Sequence, residues 1–237
     1  MVPEQDYTFP DYSLTLRRVS GRVQFSLPPA QHANNVVHTL QIAELRWKDY
    51  RTRDLFLDLT LDEKGIHGNV GGRAYAGYLR GAFDFSLDAE SAWSGWVSGS
   101  RVDLRQLTDA FAPEKLSLSG PADFSATVAA RAKTIDKFDG DFRGLGPGEL
   151  HLGKLDEIIR ELPPEWTAVK RALTRIGLEA LRDFTYDTAH GDFRFLGRTG
   201  RATLDLHGPL GSRRLEALVH DAGAEAKPAA AAQVSTR

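Results

Sequence analysis

The chain contains no cysteine. That absence removes disulfides, thiol nucleophiles and thiolate metal ligands together, and it leaves the compartment open, because cysteine-free chains occur in the cytosol and in the bacterial periplasm alike. An excess of charge is also missing: 30 Lys and Arg stand against 32 Asp and Glu, for a net charge of −2, and the two signs are interspersed. With no basic patch to gather phosphates, nucleic-acid binding is disfavoured. Long apolar runs are absent too. Nothing approaches the roughly 18 apolar residues of a membrane span, and the start, MVPEQDYTFPDY, is acidic and polar where a secretory leader is basic and then apolar. The expectation is a soluble domain whose opening residues read like the interior of a longer protein.

What is present is strand pattern. In LFLDLTLD, Leu55, Leu57, Leu59 and Leu61 share one pleat face, and Phe56, Asp58, Thr60 and Asp62 share the other. A turn at Glu63-Lys64-Gly65 leads to Ile66, Gly68 and Val70, and then to the glycine-studded series Tyr75, Gly77, Leu79, Gly81, Phe83, Phe85. Earlier, Leu14 and Leu16, then Val23, Phe25 and Leu27, predict two short strands around Ser20-Gly21. WSGWVSGSRVDL and KLSLSGPADFSATVAA continue the series. Near the end, FTYDTAHGDFRFLGRTGRATLDLHG predicts a hairpin with Phe193 and Phe195 opposite Leu204 and Leu206.

Three stretches have helical spacing. Leu104, Leu107 and Phe111 predict one short helix, stopped by Pro113. Leu155, Ile158, Ile159 and Leu162 form one stripe, and Trp166, Val169, Leu173 and Ile176 another, which predicts two amphipathic helices capping an open end of the sheet. The expected architecture is a β-rich α+β fold: a long curved antiparallel sheet forming a groove, with two amphipathic helices near the C-terminus. It occupies a single domain, 1–221, with the helical insertion at about 154–182, and a disordered tail over 222–237.

Chemistry-bearing motifs are sparse. GNVGGRAYAG fails as a phosphate cradle because a strand follows it where a helix N-terminus is needed. Glycine inside a strand marks instead a bulge or a close approach to the backbone. Asp139, Asp141, His151, His190 and Asp192 are the only acids and histidines in suggestive strings; an enzyme acting on an envelope glycan or lipid needs them to converge in one pocket. No nucleophile–base pair or metal spacing is visible, so no catalytic residue, metal ligand or cofactor is assigned. Trp93 and Trp96 are read as strand aromatics before a sugar platform.

The glycine-punctuated strands IHGNVGGRAYAGYLRGAFDFSL, the run WSGWVSGSRVDLRQLTDAFAPEKLSLSGPADFSATV, and the closing GPGELHLGKLD, FTYDTAHGDFRF and ATLDLHGPLG resemble the C-terminal part of the AsmA-like family, whose relatives include TamB. The resemblance covers about Val36 to Leu215. It implies a bacterial envelope protein that carries lipid between membranes along a β-groove, working in the periplasm within a longer parent tethered to the inner membrane. It implies phospholipid acyl chains as ligand, a membrane surface reached through the parent, and no catalytic motif. On that reading the groove is lined by Leu55, Leu57, Leu59, Leu61, Leu79, Phe83, Phe85, Phe193, Phe195, Leu204 and Leu206. The competing expectation is an envelope assembly module that binds a protein partner by strand addition.

Overall fold

The computed structural model describes residues 2–23, 37–47, 50–62, 64–87, 92–111, 116–131, 134–160, 167–197, 199–220 and 233–235. Phe25, Leu27, Pro113, Leu162, Trp166 and residues 222–232 and 236–237 of the expected tail lie outside them. In chain order the elements are β1 (Val2–Phe9), β2 (Leu14–Arg22), β3 (Val37–Trp47), β4 (Tyr50–Leu61), β5 (Gly65–Ala74), β6 (Gly77–Ser86) and β7 (Ala92–Asp103). Next come α1 (Leu104–Phe111), β8 (Leu116–Leu118), β9 (Pro121–Arg131), β10 (Thr134–Gly144), β11 (Gly148–Leu152), α2 (Leu155–Arg160) and α3 (Ala168–Glu179). The chain finishes with β12 (Asp183–Tyr186), β13 (Thr188–Leu196), β14 (Thr199–Gly208), β15 (Gly211–His220) and the short β16 (Gln233–Ser235).

Twelve strands, β1 to β7 followed by β9, β10, β13, β14 and β15, make one antiparallel meander, and β16 adds a thirteenth at its edge. Among the described residues the sheet is open: β1 pairs with β2 alone and β16 with β15 alone. Local chemistry sets the turns. Asp62 Oδ1 accepts the backbone N–H groups of Lys64 at 2.8 Å and Gly65 at 2.9 Å, which folds the chain between β4 and β5. Tyr75 and Ala76, with φ of 51° and 60°, form a two-residue turn whose hand matches the strand twist. The first turn is not at Ser20-Gly21 as expected. It falls at Pro10–Tyr12, where proline ends β1 and Ser13 takes φ of 51°, so Ser20 and Gly21 stay inside β2.

Bulges bend the sheet. Arg18, Asp54 and Arg101 have φ of 50°, 50° and 53°, and the pairing register shifts beside each of them. Two of these kinks are fastened alike: Asp6 accepts the Arg18 N–H at 2.7 Å and Asp123 the Arg101 N–H at 2.8 Å. Each is followed by a buried valine, Val19 or Val102.

The meander is left twice. Between β7 and β9 the chain makes α1 and β8; between β10 and β13 it makes β11, α2, α3 and β12. Those excursions assemble a three-stranded sheet, β12-β11-β8, which packs with the helices over one side of the main sheet. Asp103 starts α1 as its cap, accepting the Arg105 N–H at 2.9 Å. The core lies between the layers, with Leu150, Leu181, Phe184 and Tyr186 against Ala122, Phe142, Ala189 and Leu206, all under 8% exposed. Tyr186 donates its hydroxyl to the Ser119 carbonyl, and burial pushes the phenol up to about 12, so it remains a neutral donor.

The helical periods are as expected, but α3 faces the other way. Val169 and Ile176 are 69% and 63% exposed, whereas Thr174, Leu178 and Leu181 are buried. The cause is connection: α3 runs through Leu181 directly into β12, and that short path pins its C-terminal leucines in the core. At the other end, Gln233–Ser235 of the expected tail pair with β15, whose free edge offers unpaired backbone groups.

Candidate functional site: an apolar furrow across the sheet

Directly paired residues on neighbouring strands project to the same side of a sheet, so the register traces rows of side chains perpendicular to the strands. One row runs Gly21, Leu40, Leu57, Val70, Gly81, Val97, Ala126, Gly140, Phe193, Ala202 and Ala217, crossing the eleven strands from β2 to β15 without a polar residue. At about 4.8 Å per strand, it extends roughly 50 Å.

The rows on either side are bulkier. One carries Leu59, Phe83, Val128, Phe138 and Phe195, with Phe138 and Phe195 edge to face at 5.9 Å. The other carries Ile42, Leu55, Leu79, Phe124, Phe142, Leu204 and Leu215. Between β5 and β10 the middle row is Val70, Gly81, Val97, Ala126 and Gly140. Small residues flanked by large ones make a furrow with walls about 13 Å apart. At β13 the floor rises: Phe193 stacks on Phe142 at 6.1 Å, and both belong to the packed side of the molecule.

The strand glycines have a specific role here. Gly68, Gly99, Gly191 and Gly200 sit directly opposite Phe83, Phe124, Phe142 and Phe195, and each ring lies across its glycine where a Cβ would collide with it. What approaches the glycine backbone is therefore a phenylalanine of the adjacent strand. Gly191→Ala is expected to destabilise the fold by about 1–3 kcal/mol through overpacking against Phe142. Gly146→Ala, where nothing lies within 4 Å, should be neutral or mildly stabilising. Paired urea melts of the two variants check this; equal midpoints would mean that the rings yield.

All eleven residues expected to line a groove share this face, but they do not share one environment. Leu55, Leu57, Leu59, Leu79 and Phe83 are half-buried and Leu61 and Phe85 exposed, on strands that no element of the second layer covers among the described residues. Phe195 is half-buried at the far wall. Phe193 and Leu204 pack partly against the core, and Leu206, 0% exposed, is sealed inside it and is unavailable to a guest. The hairpin places Phe193 and Phe195 opposite Ala202 and Gly200, and Leu204 and Leu206 opposite Gly191 and Ala189, so large again meets small. The floor residues Gly81, Val97, Ala126 and Gly140 were not singled out by sequence reasoning. Their signal is the alternation in their strands, but only the register aligns them.

The opposite face is wet. Arg194 and Lys137 pair with Asp139 at 3.2 and 2.8 Å, Arg201 with Glu216 at 3.0 Å, and Arg214 with Asp205 at 3.6 Å. His67 bridges Asp84 at 2.6 Å and Asp62 at 3.4 Å, and those carboxylates hold its imidazole above the usual histidine range. Exposed pairs such as these contribute little stability, but they keep this side in water. Asp139, Asp141 and Asp192 line a hollow of about 810 Å³ here. Asp141 and Asp192 are directly opposite; Ser125 donates to the first at 2.6 Å, and His190 lies 3.2 Å from the second. His151 is elsewhere, paired with Asp183 at 2.6 Å on the small sheet. The Lys137 hydrogen bond, with Arg194 beside it, holds the Asp139 carboxyl below the usual carboxylate range, opposite to what a general acid needs. Among the described residues no group of three or more His, Asp or Glu is placed to hold a metal ion. Trp93 and Trp96 project to opposite faces, Trp93 beside Ala130 and Trp96 beside Thr127, so they form no joint platform.

No protein-family model matches the chain, and neither a curated protein nor a solved structure matches it. Among the described residues no helix is long and apolar enough to cross a membrane.

Proposed function

We propose that this chain is a non-catalytic lipid-handling module that holds phospholipid acyl chains along the furrow, as part of a longer envelope protein working in the periplasm between two membranes. The observation that carries the reading is the unbroken apolar row across eleven strands, walled by phenylalanines and leucines and, among the described residues, left without a second layer from β2 to β6. Apolar surface on that scale gains roughly 25 cal/mol per Å² when covered, and methylene chains lying across the strands cover it without any demand for hydrogen bonds. Charged headgroups would stay at the rim, where the wet face begins. The resemblance to AsmA-like proteins points the same way.

Native mass spectrometry of the protein purified from a bacterial host tests this. Co-purified phospholipid, displaced by a fluorescent fatty acid, is the expected result; lipid-free protein that takes up no fatty acid would end the proposal.

A second reading rests on the edges. The outer side of β1 has no partner strand among the described residues, and an unpaired edge is where strand addition to a partner protein begins. It predicts a partner whose binding is lost when proline replaces an edge residue of β1, with lipid content unchanged.

A further inference from the structure

The furrow does not account for α3. Its inward residues, Thr174, Leu178 and then Leu181, already seat it on the core, yet Val169 and Ile176 stand 69% and 63% exposed. Residues seven apart lie on one helical stripe, and this stripe is nearly opposite the buried one. A helix stabilised by its packed face has no structural need for a second apolar face. At the sheet end where β10 and β14 finish, two more leucines stand exposed in strand connections, Leu145 at 45% between β10 and β11, and Leu210 at 73% between β14 and β15.

The charges select the partner. The helix sequence AVKRALTRIGLE has three cations and one acid in a chain whose net charge is −2. Arg171 and Arg175 are exposed, and both fall on the flank between the buried and exposed stripes. Glu179, the acid, is engaged by Arg175 at 3.0 Å. Apolar residues bordered by arginines match the boundary between lipid headgroups and acyl chains, where the cations meet anionic headgroups while the aliphatic residues enter the hydrocarbon. We propose that α3 is a membrane-docking helix that lays its Val169 and Ile176 stripe onto the surface of an anionic bilayer. This contact is distinct from the furrow and does not require it.

Vesicle flotation with the full chain tests the proposal, comparing phosphatidylcholine alone with an equimolar mixture of phosphatidylcholine and phosphatidylglycerol. The chain is expected to float with the anionic vesicles and to be released by salt. Val169→Asp combined with Ile176→Asp should reduce flotation at least about tenfold, with an unchanged melting temperature because both side chains are exposed. Arg171→Glu with Arg175→Glu should reduce flotation on anionic vesicles only. Both double variants should take up fluorescent fatty acid like the parent chain, so failure of docking and failure of the furrow give different results. A parent chain that stays with neither vesicle, aspartate variants that float as well as the parent, or a dimer in sedimentation that those variants dissociate, would each overturn the proposal.

Discussion

Val97→Glu is expected to empty the furrow while leaving the fold intact. Val97 lies mid-floor, between Gly81 and Ala126, and is 37% exposed, so a longer polar side chain reaches solvent in the free protein at little cost. An acyl chain laid across the strands would then have to bury a carboxylate against methylenes, which costs far more than the contact returns. Bound fatty acid should fall at least about tenfold, equivalent to about 1.4 kcal/mol. Ser98→Glu is the control. Its neighbour in sequence projects to the wet face, where Arg80 Nε donates to the Ser98 hydroxyl at 3.2 Å, so the same charge one residue away should leave uptake unchanged. If both variants lost uptake equally, the furrow would not be where the ligand lies.

The second large effect is on stability. Leu150, on the central strand of the small sheet, is 0% exposed and sits opposite Leu118 and Phe184. Leu150→Ala should cost about 2–5 kcal/mol through lost burial and the cavity left behind, lowering the melting temperature by roughly 5–15 °C for a chain of this size. Leu79→Ala should cost much less, because Leu79 is only half-buried on a stretch of sheet that no second-layer element covers among the described residues. Circular dichroism melts of the two variants make the comparison. Equal losses would contradict the separation into a packed side and an open side; a large loss at Leu150 alone supports it. Hydrogen exchange on the Leu150 variant should show faster exchange in α2, α3 and β12 before the β4–β6 amides are affected.

These two predictions concern different parts of one sheet, and only part of that division was legible beforehand. Period-two alternation in LFLDLTLD and in the Tyr75 to Phe85 series identified both the strands and the face each side chain would take, because a pleat sends neighbours to opposite sides whatever surrounds it. The α1 segment and the two later helical stripes were equally visible, since 3.6-residue spacing is also a local property. Orientation is not local. The stripe Val169, Leu173, Ile176 satisfies the helical period as well as Thr174, Leu178, Leu181 does, and nothing within α3 says which will meet the core. The chain's short return into β12 makes that choice. KLSLSGPADFSATVAA likewise reads as two strands, but β8 and β9 belong to different sheets, separated at Gly120 with φ of 105°.

The sequence by itself therefore determined that this is a β-rich chain with one oily and one wet face to most of its strands, and that its glycines sit among large apolar residues. Only the tertiary structure decided that those faces align into one continuous row, that phenylalanines cover the glycines, and that, among the described residues, a second layer covers the oily side at one end of the sheet and not at the other. The physical reason is distance along the chain. Alternation is written into neighbouring residues, whereas Val97 meets Ala126, and Gly140 meets Phe193, through register between strands that the sequence separates by tens of residues.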